Sequence, residues 1–313
     1  MKITNSYVLL YGPRKGGTSL LQRLIDSEKN FCHPSETKIK NFPKLIETLS
    51  ESFVSDESRK NFDIVADFFP VSYERELKID KDIFRKIILG KITHIKNLGD
   101  YVDLHFEAVI ESSAVLSAVD EDVKKSRVLK EVGGDTDLVI QKFLNAFPNG
   151  KVISIMRDPK WVSRAVFRDR RRRNVSMTPR EWIHQITAPI SVSKKQANIC
   201  HPQIFTVHYD QIINNPDGTL KKIFTFCEMP FSEINLYPSI FGLRTKVDTS
   251  SKDVSVIFKD HAELSSELNW LEYFFIQTGR LWWTVEKIFS FVLRTVSRAL
   301  LKKHWSSRTK TAS

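Results

Sequence analysis

A glycine-rich, basic turn near the start of the chain has the residue types and spacing of a phosphate-binding loop. The apolar run Val8–Tyr11 predicts a buried strand, and an apolar pattern of helical period follows over Ser19–Asp26. A loop between such a strand and helix can direct backbone N–H groups and the helix N-terminus towards an anion. The Walker A pattern requires Lys directly after its second Gly, whereas Thr18 follows Gly17 here. The sequence therefore predicts a phosphate site whose cation, Lys15, lies within the loop; an ordinary turn after a strand is the alternative.

A second strand-like run ends in an arginine that could also bind a phosphate. Lys151–Met156 is largely apolar and of strand length, and Arg157, Asp158 and Pro159 follow it, with Pro159 suited to the first turn of a helix. A guanidinium at the end of a parallel strand can bind a phosphate through two parallel hydrogen bonds. The alternative is a structural ion pair between Arg157 and Asp158 or another neighbour.

Strand-like and helix-like segments alternate along the chain, which predicts an α/β fold with a parallel sheet and flanking helices. The predicted strands are Val8–Tyr11, Ser126–Glu131, Lys151–Met156 and Ile204–His208, with a further candidate at Ile64–Phe69. The predicted helices are Ser19–Asp26, Lys81–Ile95, Val102–Val119, Asp137–Ala146, a helix from Pro159, Pro179–Asn198 and Pro216–Cys227. Because loops at the carboxyl ends of parallel strands converge, we expect these loops to form one ligand site.

The composition is that of a folded, enzyme-sized chain with reduced thiols. With 313 residues, 41% of them hydrophobic, the chain can form one large domain or one domain with an insertion. The three cysteines are odd in number, far apart and without metal-ligand spacing, which indicates reduced thiols in a cytosolic protein: Cys32, Cys200 and Cys227. The first residues run directly into the first predicted strand and leave no room for a signal peptide or anchor, which favours a cytoplasmic location.

The net charge of +11 suits a protein that binds a polyanionic small molecule and an acidic substrate. Nucleic acid is the competing partner, because the densest basic run, Arg168–Arg173, could contact a phosphate backbone. The solvated end of a helix is the favoured interpretation of that run, since no helix-turn-helix, zinc or RNA-binding motif accompanies it. We therefore expect no nucleic-acid partner.

Three segments, taken in order, resemble the sulfotransferases that use 3′-phosphoadenosine 5′-phosphosulfate (PAPS). Arg14–Ser19 resembles the family's 5′-phosphosulfate loop, in wording closest to its glycan-modifying branch, and the segment from Arg157 resembles its 3′-phosphate element. His208–Phe224 resembles a late Tyr-Glu-Asp-Leu segment of the family, with Asp210 where Glu is usual. We interpret this segment, which predicts a strand, a turn and then a helix, as structural. The resemblance covers residues 7–227 and implies a P-loop-like parallel α/β fold with PAPS as co-substrate and no metal.

The resemblance implies roles for the residues of the loop and of the arginine segment. Lys15 is expected to act on the bridging oxygen and the leaving phosphate. The 5′-phosphate is expected to be held by Arg14, Gly16, Gly17, Thr18 and Ser19. Arg157 is expected to bind the 3′-phosphate. The family's serine eight residues later is Ala165 in this chain, so Ser163 is expected to substitute for it, with Arg164 as the alternative.

A general base for the acceptor is expected shortly after the first helix, as in the glycan branch. Glu36 is the first candidate, and a capping or surface carboxylate is the alternative interpretation of this residue. Weaker candidates, each more typical of a structural residue, are His33, His105 and Glu107. Lys130 ends the strand before the Arg157 segment, near the position of a family lysine. It is expected to bind the sulfuryl group or the acceptor, and pairing with Glu131 is the alternative.

Two late segments carry further expectations. The basic loop that contains Arg244 and Lys246 resembles a family loop that closes over the 3′-phosphate, although a surface loop of any protein can have this character. Residues 261–313 are rich in aromatic side chains interrupted by charges, which excludes a transmembrane span. Packing on the domain or formation of a homodimer is favoured over an amphipathic helix at a membrane surface.

The sequence therefore predicts a PAPS-dependent sulfotransferase that modifies a hydroxyl or amine of its acceptor, with a carbohydrate or glycolipid favoured. Residues 1–260 are expected to form the sulfotransferase domain, with residues 37–126 as a helical insert on the acceptor side and residues 261–313 as C-terminal helices. One alternative is a P-loop kinase or NTPase, which Thr18 at the Walker lysine position disfavours. The other is a non-catalytic module that binds nucleic acid or anionic lipid.

Overall fold

The computed structural model describes residues 6–26, 31–36, 77–91, 94–116, 126–133, 136–240, 243–244, 274, 276–279 and 281–285. The strands in these ranges are β1 (Ser6–Gly12), β2 (Phe31–Glu36), β3 (Ser126–Val132), β4 (Lys151–Met156), β5 (Ile204–His208), β6 (Ser239–Ile240) and β7 (Leu243–Arg244). The α-helices are α1 (Thr18–Ile25), α2 (Lys81–Lys91), α3 (Leu98–Ser112), α4 (Thr136–Ala146), α5 (Pro159–Arg172), α6 (Pro179–Ala197), α7 (Tyr209–Asn214) and α8 (Pro216–Cys227). A 3-10 helix covers Glu233–Leu236.

The first five strands form one parallel sheet in the order β2-β3-β1-β4-β5. Leu10 of β1 pairs with Lys130 of β3 on one side and with Ile153 of β4 on the other. From β1 the chain runs to β2 at one edge of the sheet, and from β4 it runs to β5 at the opposite edge. In open parallel sheets, ligands bind at such a switch point, outside the carboxyl ends of the strands. The fold therefore directs attention to the crevice between the ends of β1 and β4.

Apolar side chains cover both faces of the sheet, so the strands are buried on both sides. Val8 and Leu10 of β1 belong to a cluster with residues of α1 and α8, whereas Leu9 and Tyr11 belong to a cluster with residues of α2, α3 and α4. All four of these side chains have 0% of their surface exposed. Continuous apolar runs of this kind are typical of parallel strands that are covered on both faces. The predicted parallel α/β fold with flanking helices is confirmed.

The described residues fall into two compact units. Those of Met1–Arg157 and Lys195–Lys259 form unit 1, which contains the five-stranded sheet. Those of Asp158–Lys194 and Asp260–Ser313 form unit 2, which contains α5 and most of α6. The predicted division into residues 1–260 and 261–313, with the insert 37–126, stays a prediction, because much of the insert and of the C-terminal segment lies outside the described residues.

Elements with clear boundary signals were predicted correctly, and others were not. The strands β4 and β5 and the helix α8 have their predicted bounds. The helix predicted at Lys81–Ile95 spans Lys81–Lys91. The helix predicted at Val102–Val119 instead spans Leu98–Ser112, because the side chain of Asn97 accepts a hydrogen bond of 2.9 Å from the backbone N–H of Asp100 and caps an earlier start. At the other end, the hydroxyl of Ser113 donates to the carbonyl of Leu77 at 2.6 Å, where the chain has left the helix.

Two elements lie where no regular structure was predicted. The strand β2 at Phe31–Glu36 was missed, and the turn predicted after β5 is the short helix α7. This helix starts directly after β5, where the side chain of Gln211 accepts a hydrogen bond of 3.0 Å from the backbone N–H of His208. The candidate strand Ile64–Phe69 lies outside the described residues. In the part of the chain that the structure describes, no helix is long and apolar enough to cross a membrane.

Candidate active site

The loop between β1 and α1 is a tight backbone turn with two residues in left-handed conformation. Lys15 has φ 61° and Gly17 has φ 104°. The backbone N–H of Gly16 donates to the carbonyl of Pro13 at 2.8 Å, and α1 starts at Thr18 immediately after the turn. Alternating backbone conformations of this kind turn successive N–H groups towards one side of a loop, which is how backbone amides bind anions. The left-handed φ of Lys15, a non-glycine residue, places conformational strain at the residue expected to be catalytic.

The glycines of the loop are required by close contacts, because a Cβ atom at these positions would overlap with neighbours. A Cβ on Gly17 would lie 2.3 Å from Cδ2 of Tyr209. A Cβ on Gly12 would lie 3.0 Å from Cγ2 of Thr18 and 3.1 Å from the carbonyl oxygen of Ile155. The backbone of the loop is therefore packed directly against the segments that follow β5 and end β4. This close approach is the geometry that a backbone-lined phosphate site needs.

Arg157 joins three strand ends in one contact group within unit 1. Its Nη1 donates to the carbonyl of Lys15 at 2.9 Å, and its guanidinium carbon lies 4.1 Å from the centroid of the Tyr209 ring. The arginine follows β4, the lysine follows β1 and the tyrosine follows β5, so the structure brings together residues far apart in sequence. The predicted convergence of Lys15 and Arg157 at the carboxyl edge of the sheet is therefore observed as a direct hydrogen bond.

Tyr209 is the site residue that sequence reasoning missed. The segment His208–Phe224 was interpreted as structural, yet its first aromatic ring packs against Gly17 and stacks on Arg157. Stacking of a guanidinium on an aromatic face is a favourable cation–π contact that also fixes the plane of the guanidinium. The available signal was position: Tyr209 directly follows the carboxyl end of a parallel strand, as Arg157 does.

The two other predicted catalytic residues are neighbours across β2 and β3. Glu36 and Lys130 are partners in the register of these strands, which is shifted between Cys32 and Glu36. Lys130 has only 6% of its surface exposed, which is unusual for a lysine. Burial raises the pKa of the Cys32 thiol, with a further rise from Asp26 and an opposing effect of Lys130, so the lysine acts electrostatically on the face that Cys32 occupies.

Glu131, the alternative partner of Lys130, has different surroundings. Its side chain is 1% exposed. Burial raises the pKa of Tyr101 on α3, and the charge of Glu131 adds to that rise. Tyr101 and Cys32 belong to clusters on opposite faces of the sheet. Because successive residues of a strand point to opposite faces, Lys130 and Glu131 are directed to different faces as well.

Ser163 lies in unit 2, where its hydroxyl serves the packing of two helices. It is 1% exposed, and its Oγ lies 3.0 Å from the carbonyl oxygens of both Pro159 and Gln185. Pro189 lies inside α6 and has no N–H to donate to the carbonyl four residues earlier, which is that of Gln185. The Ser163 hydroxyl therefore supplies the hydrogen bond that the proline cannot. Its predicted contact with a 3′-phosphate stays a prediction.

The remaining candidates have the following places. Arg14 and Ser19 are exposed, Lys15 is half-buried and Thr18 is 4% exposed. The guanidinium of Arg164 lies 4.5 Å from the Trp161 ring centroid. His105 is buried, with its ring centroid 5.3 Å from that of Phe84, and Glu107 forms an ion pair with Lys91, so both belong to the packing of α3 against α2.

Further candidates lie on peripheral elements. His33 lies in β2, and Arg244 lies in β7, where its register partner is Ser239. Arg168–Arg173 covers the last turn of α5 and its cap, and its last three residues are exposed. Lys246 and most of residues 261–313 lie outside the described residues.

The chain belongs to the sulfotransferase family. The family model described as "Sulfotransferase family" matches residues 8–233, which run from β1 to the 3-10 helix after α8. This membership favours the sulfotransferase prediction over the P-loop kinase alternative. No curated protein sequence matches the chain.

Several solved structures are similar to the chain in fold, with low sequence identity. A sulfotransferase domain from the curacin biosynthetic pathway is 16% identical, with a TM-score of 0.44, covering 75% of this chain and 77% of that one. A sulfotransferase from Alicyclobacillus acidocaldarius is 13% identical, with a TM-score of 0.40, covering 90% and 95%. Mouse sulfotransferase SULT7A1 complexed with PAP is 12% identical, with a TM-score of 0.39, covering 96% and 90%. All three TM-scores are below 0.5, so family membership rests on the family model.

Proposed function

We propose that this protein transfers a sulfuryl group from PAPS to a hydroxyl or amine of its acceptor. The observation that best supports the proposal is the contact group of Arg157, Lys15 and Tyr209, which joins the loop after β1 to the ends of β4 and β5. These contacts hold the loop in place, as transfer chemistry that depends on positioning requires. A carbohydrate or glycolipid acceptor is proposed from the wording of the loop alone.

In this proposal the loop binds the 5′ end of PAPS and Lys15 acts on the leaving group. The backbone N–H of Gly17 and the start of α1 are suited to hold the 5′-phosphate, together with Arg14, Thr18 and Ser19. Gly16, whose own N–H donates to the Pro13 carbonyl, stays proposed as a member of the same turn. Sulfuryl transfer resembles phosphoryl transfer in its need for in-line geometry and charge stabilisation, but the sulfuryl group carries less charge. A lysine can therefore neutralise the charge that develops on the bridging oxygen, and the proposal includes no metal.

The 3′-phosphate is assigned to Arg157. The hydrogen bond to the Lys15 carbonyl and the ring of Tyr209 orient the guanidinium, and a guanidinium presents several N–H donors in one plane. Ser163, Arg244 and Lys246 stay proposed as further contacts.

The acceptor side is assigned to Glu36 and Lys130. Their pairing in the register of β2 and β3 supports a shared site, in which Glu36 takes the acceptor proton and Lys130 binds the sulfuryl group or the acceptor. The segment 37–126 and the C-terminal residues are proposed to shape the acceptor pocket. A homodimer and a membrane-surface contact of residues 261–313 are further proposals, which light scattering and liposome flotation would test.

The first experiment is calorimetric binding of adenosine 3′,5′-bisphosphate, with AMP and ATP·Mg²⁺ as controls. We expect binding that needs the 3′-phosphate and that weakens in Arg157→Ala but not in Arg180→Ala, a matched change at an exposed arginine of α6. Preference for ATP·Mg²⁺, or equal binding of AMP, would contradict the proposal.

A turnover assay with PAPS and a panel of sugar and glycolipid acceptors tests the catalytic assignments. Lys15→Ala should lower kcat by at least about 100-fold, the usual effect of removing a main electrostatic group, whereas Lys222→Ala on the exposed side of α8 should not change it. Glu36→Gln should remove the acidic limb of the pH–rate profile, since a glutamine cannot accept the proton. A Lys15→Ala enzyme with a normal rate would refute the catalytic role of this residue.

A further inference from the structure

Unit 2 contains a cavity of about 770 Å³ that lies among the start of α5, the middle of α6 and the described residues from 276 onward. This volume is in the range of pockets that bind small molecules. Its lining combines buried apolar side chains with lysines. The members used below are Ile186, Ile190, Ile276, Trp283, Lys160 and Lys194.

The apolar part of the cavity is rigidly packed. Ile186 and Ile276 are each 2% exposed, and Ile190 is 9% exposed. A Cβ on Gly279 would lie 2.7 Å from Cγ2 of Ile186, so the chain after Ile276 approaches α6 at backbone distance. The wall formed by these isoleucines can bury a hydrocarbon or aromatic group. The rest of the lining also carries polar side chains, which suit the polar end of such a ligand: Ser163, Ser193, Gln277 and Thr284.

The cationic part of the cavity is exposed. The Nζ of Lys194 lies 3.5 Å from the centroid of the Trp283 ring, and the Nζ of Lys160 donates to Oε1 of Gln277 at 2.7 Å. The carboxylate that also borders the cavity, Asp158, already accepts a 2.7 Å hydrogen bond from the backbone N–H of Lys160 as the cap of α5. Among the described residues of the lining, two ammonium groups and one capping carboxylate give this edge a net positive charge, which favours an anion.

We propose that this cavity binds a free amphiphile with an apolar chain or ring system and one anionic group, such as a medium-chain carboxylate or alkyl sulfate. The apolar body packs on the isoleucines, and the anion lies beside Lys194 at the edge of the Trp283 ring. The proposal concerns unit 2 alone and goes beyond the proposed sulfuryl transfer. Its test uses neither PAPS nor an acceptor. Ser163, which is proposed above to contact the 3′-phosphate, also borders the cavity, so the variants below change Lys194 and Ile190 instead.

The test is calorimetric binding of decanoate to the full chain below the micelle concentration, with 1-decanol and decyltrimethylammonium as probes of charge. We expect decanoate to bind with one site per chain and both other probes to bind at least about tenfold more weakly, as loss of a charge-assisted contact predicts. Lys194→Met should weaken decanoate by a similar factor without affecting decanol. The matched control is Lys195→Met, the exposed lysine one residue later, which does not border the cavity.

A second variant tests the apolar part. Ile190→Trp replaces part of the isoleucine wall with a bulkier ring and should weaken decanoate binding, and circular dichroism would show whether the helices persist. Equal binding of decanoate and decanol, identical effects of Lys194→Met and Lys195→Met, or normal binding by a folded Ile190→Trp protein would each overturn the proposal. Binding to anionic phospholipid vesicles without binding to monomeric decanoate would overturn it as well, and would indicate a membrane-surface contact instead.

Discussion

Two contacts of Arg157 act on different parts of its guanidinium. The carbonyl of Lys15 accepts from one nitrogen, while the ring of Tyr209 lies against the guanidinium. The hydrogen bond alone would let the guanidinium plane rotate about the N–H···O contact. The stacked ring alone would let the guanidinium shift parallel to the plane of the ring. Together they hold the group in one orientation, and the same ring limits the space above Gly17.

Tyr209 is predicted to act on cofactor binding through Arg157 and the loop. Tyr209→Leu removes the stacked ring and should weaken binding of adenosine 3′,5′-bisphosphate by about 3- to 30-fold, the range of a partly buried cation–π contact. Tyr209→Phe keeps the ring and should bind within about twofold of wild type by the same argument. Calorimetry distinguishes the two variants, with Tyr237→Leu as an exposed control. Equal losses in the Phe and Leu variants would indicate that the hydroxyl, and not the stacking, matters.

Gly17 is predicted to be intolerant of any side chain. Gly17→Ala meets both the left-handed φ of 104° and the 2.3 Å overlap with Tyr209, so it should destabilise the protein by at least about 2 kcal/mol and reduce cofactor affinity. The matched control is Gly90→Ala, an exposed position in α2 with no atom within 4 Å of the added Cβ. That change should stabilise the protein by about 0.5 to 1 kcal/mol.

Urea unfolding measures both glycine variants. Adding Tyr209→Ala to Gly17→Ala removes the overlap but not the φ strain, so the double variant should recover part of the lost stability relative to the sum of the single changes. Strict additivity of the two changes would show that the overlap does not contribute.

At the scale of elements, α5 and α6 are joined by a hydrogen bond from the Ser163 hydroxyl to the Gln185 carbonyl. Pro189, four residues after Gln185 in α6, has no N–H to donate to that carbonyl. Prolines inside helices are tolerated when another donor serves the freed carbonyl. Here the donor comes from the neighbouring helix, so the same contact compensates for the proline and fixes the contact between the helices.

This arrangement predicts a coupling between the two positions. Ser163→Ala should cost about 1 to 3 kcal/mol, because it removes the buried Ser163 hydroxyl that can donate to the partly buried Gln185 carbonyl. Pro189→Ala restores an N–H at that position, so in its presence Ser163→Ala should cost clearly less. A double-mutant cycle by urea unfolding measures the difference. The absence of coupling would show that the Ser163 hydroxyl serves the Pro159 carbonyl instead, and an accompanying loss of cofactor affinity would support its predicted phosphate contact.

Elements with local boundary signals were the predictable ones. The helix α8 begins at Pro216 after the cap Asn215, and β4 is a short apolar run between a turn and Arg157. The strand β2 contains Pro34, which argues against a strand, and it forms because it lies at the edge of the sheet with an irregular register against β3. Edge position follows from the order of strands in space, which the local sequence does not contain.

The site shows the same division between local and non-local information. Lys15 and Arg157 were predictable because each follows an apolar run that ends at the same edge of a parallel sheet. The contact of Tyr209 with Gly17 depends on the distance between two loops, and the contact of Ser163 with Gln185 depends on how two helices pack. Neither distance can be obtained from residue type and spacing, so both contacts required the structure.

At the scale of the whole molecule, buried thiols connect stability to pH. Burial raises the pKa of Cys227 to about 12 and raises that of Cys32 as well, whereas Cys200 is exposed. In the unfolded chain a thiol titrates near pH 8.5. Because the folded pKa is the higher one, this stabilisation is complete below about pH 8.5 and is lost as the pH rises towards that of the buried thiol.

We therefore predict a loss of stability at alkaline pH that depends on these cysteines. Cys227 alone should lower the free energy of unfolding by about 2 kcal/mol between pH 8 and pH 10. The slope of stability against pH, measured by urea unfolding, should be smaller in Cys227→Ala and unchanged in Cys200→Ala. Equal slopes in wild type and Cys227→Ala would contradict the prediction, whatever the absolute stability of the variant.

The order of strands also determines when β1 can pair during synthesis of the chain. About 140 residues separate Leu9 in β1 from its partner Val152 in β4. A ribosome that adds about 5 to 20 residues per second needs roughly 7 to 30 s for that stretch. For most of that interval the apolar run Val8–Tyr11, which is 0% exposed in the folded protein, lacks both of its pairing strands, because β3 begins only at Ser126. The nascent chain therefore carries an aggregation-prone segment that only a later part of the same chain can cover.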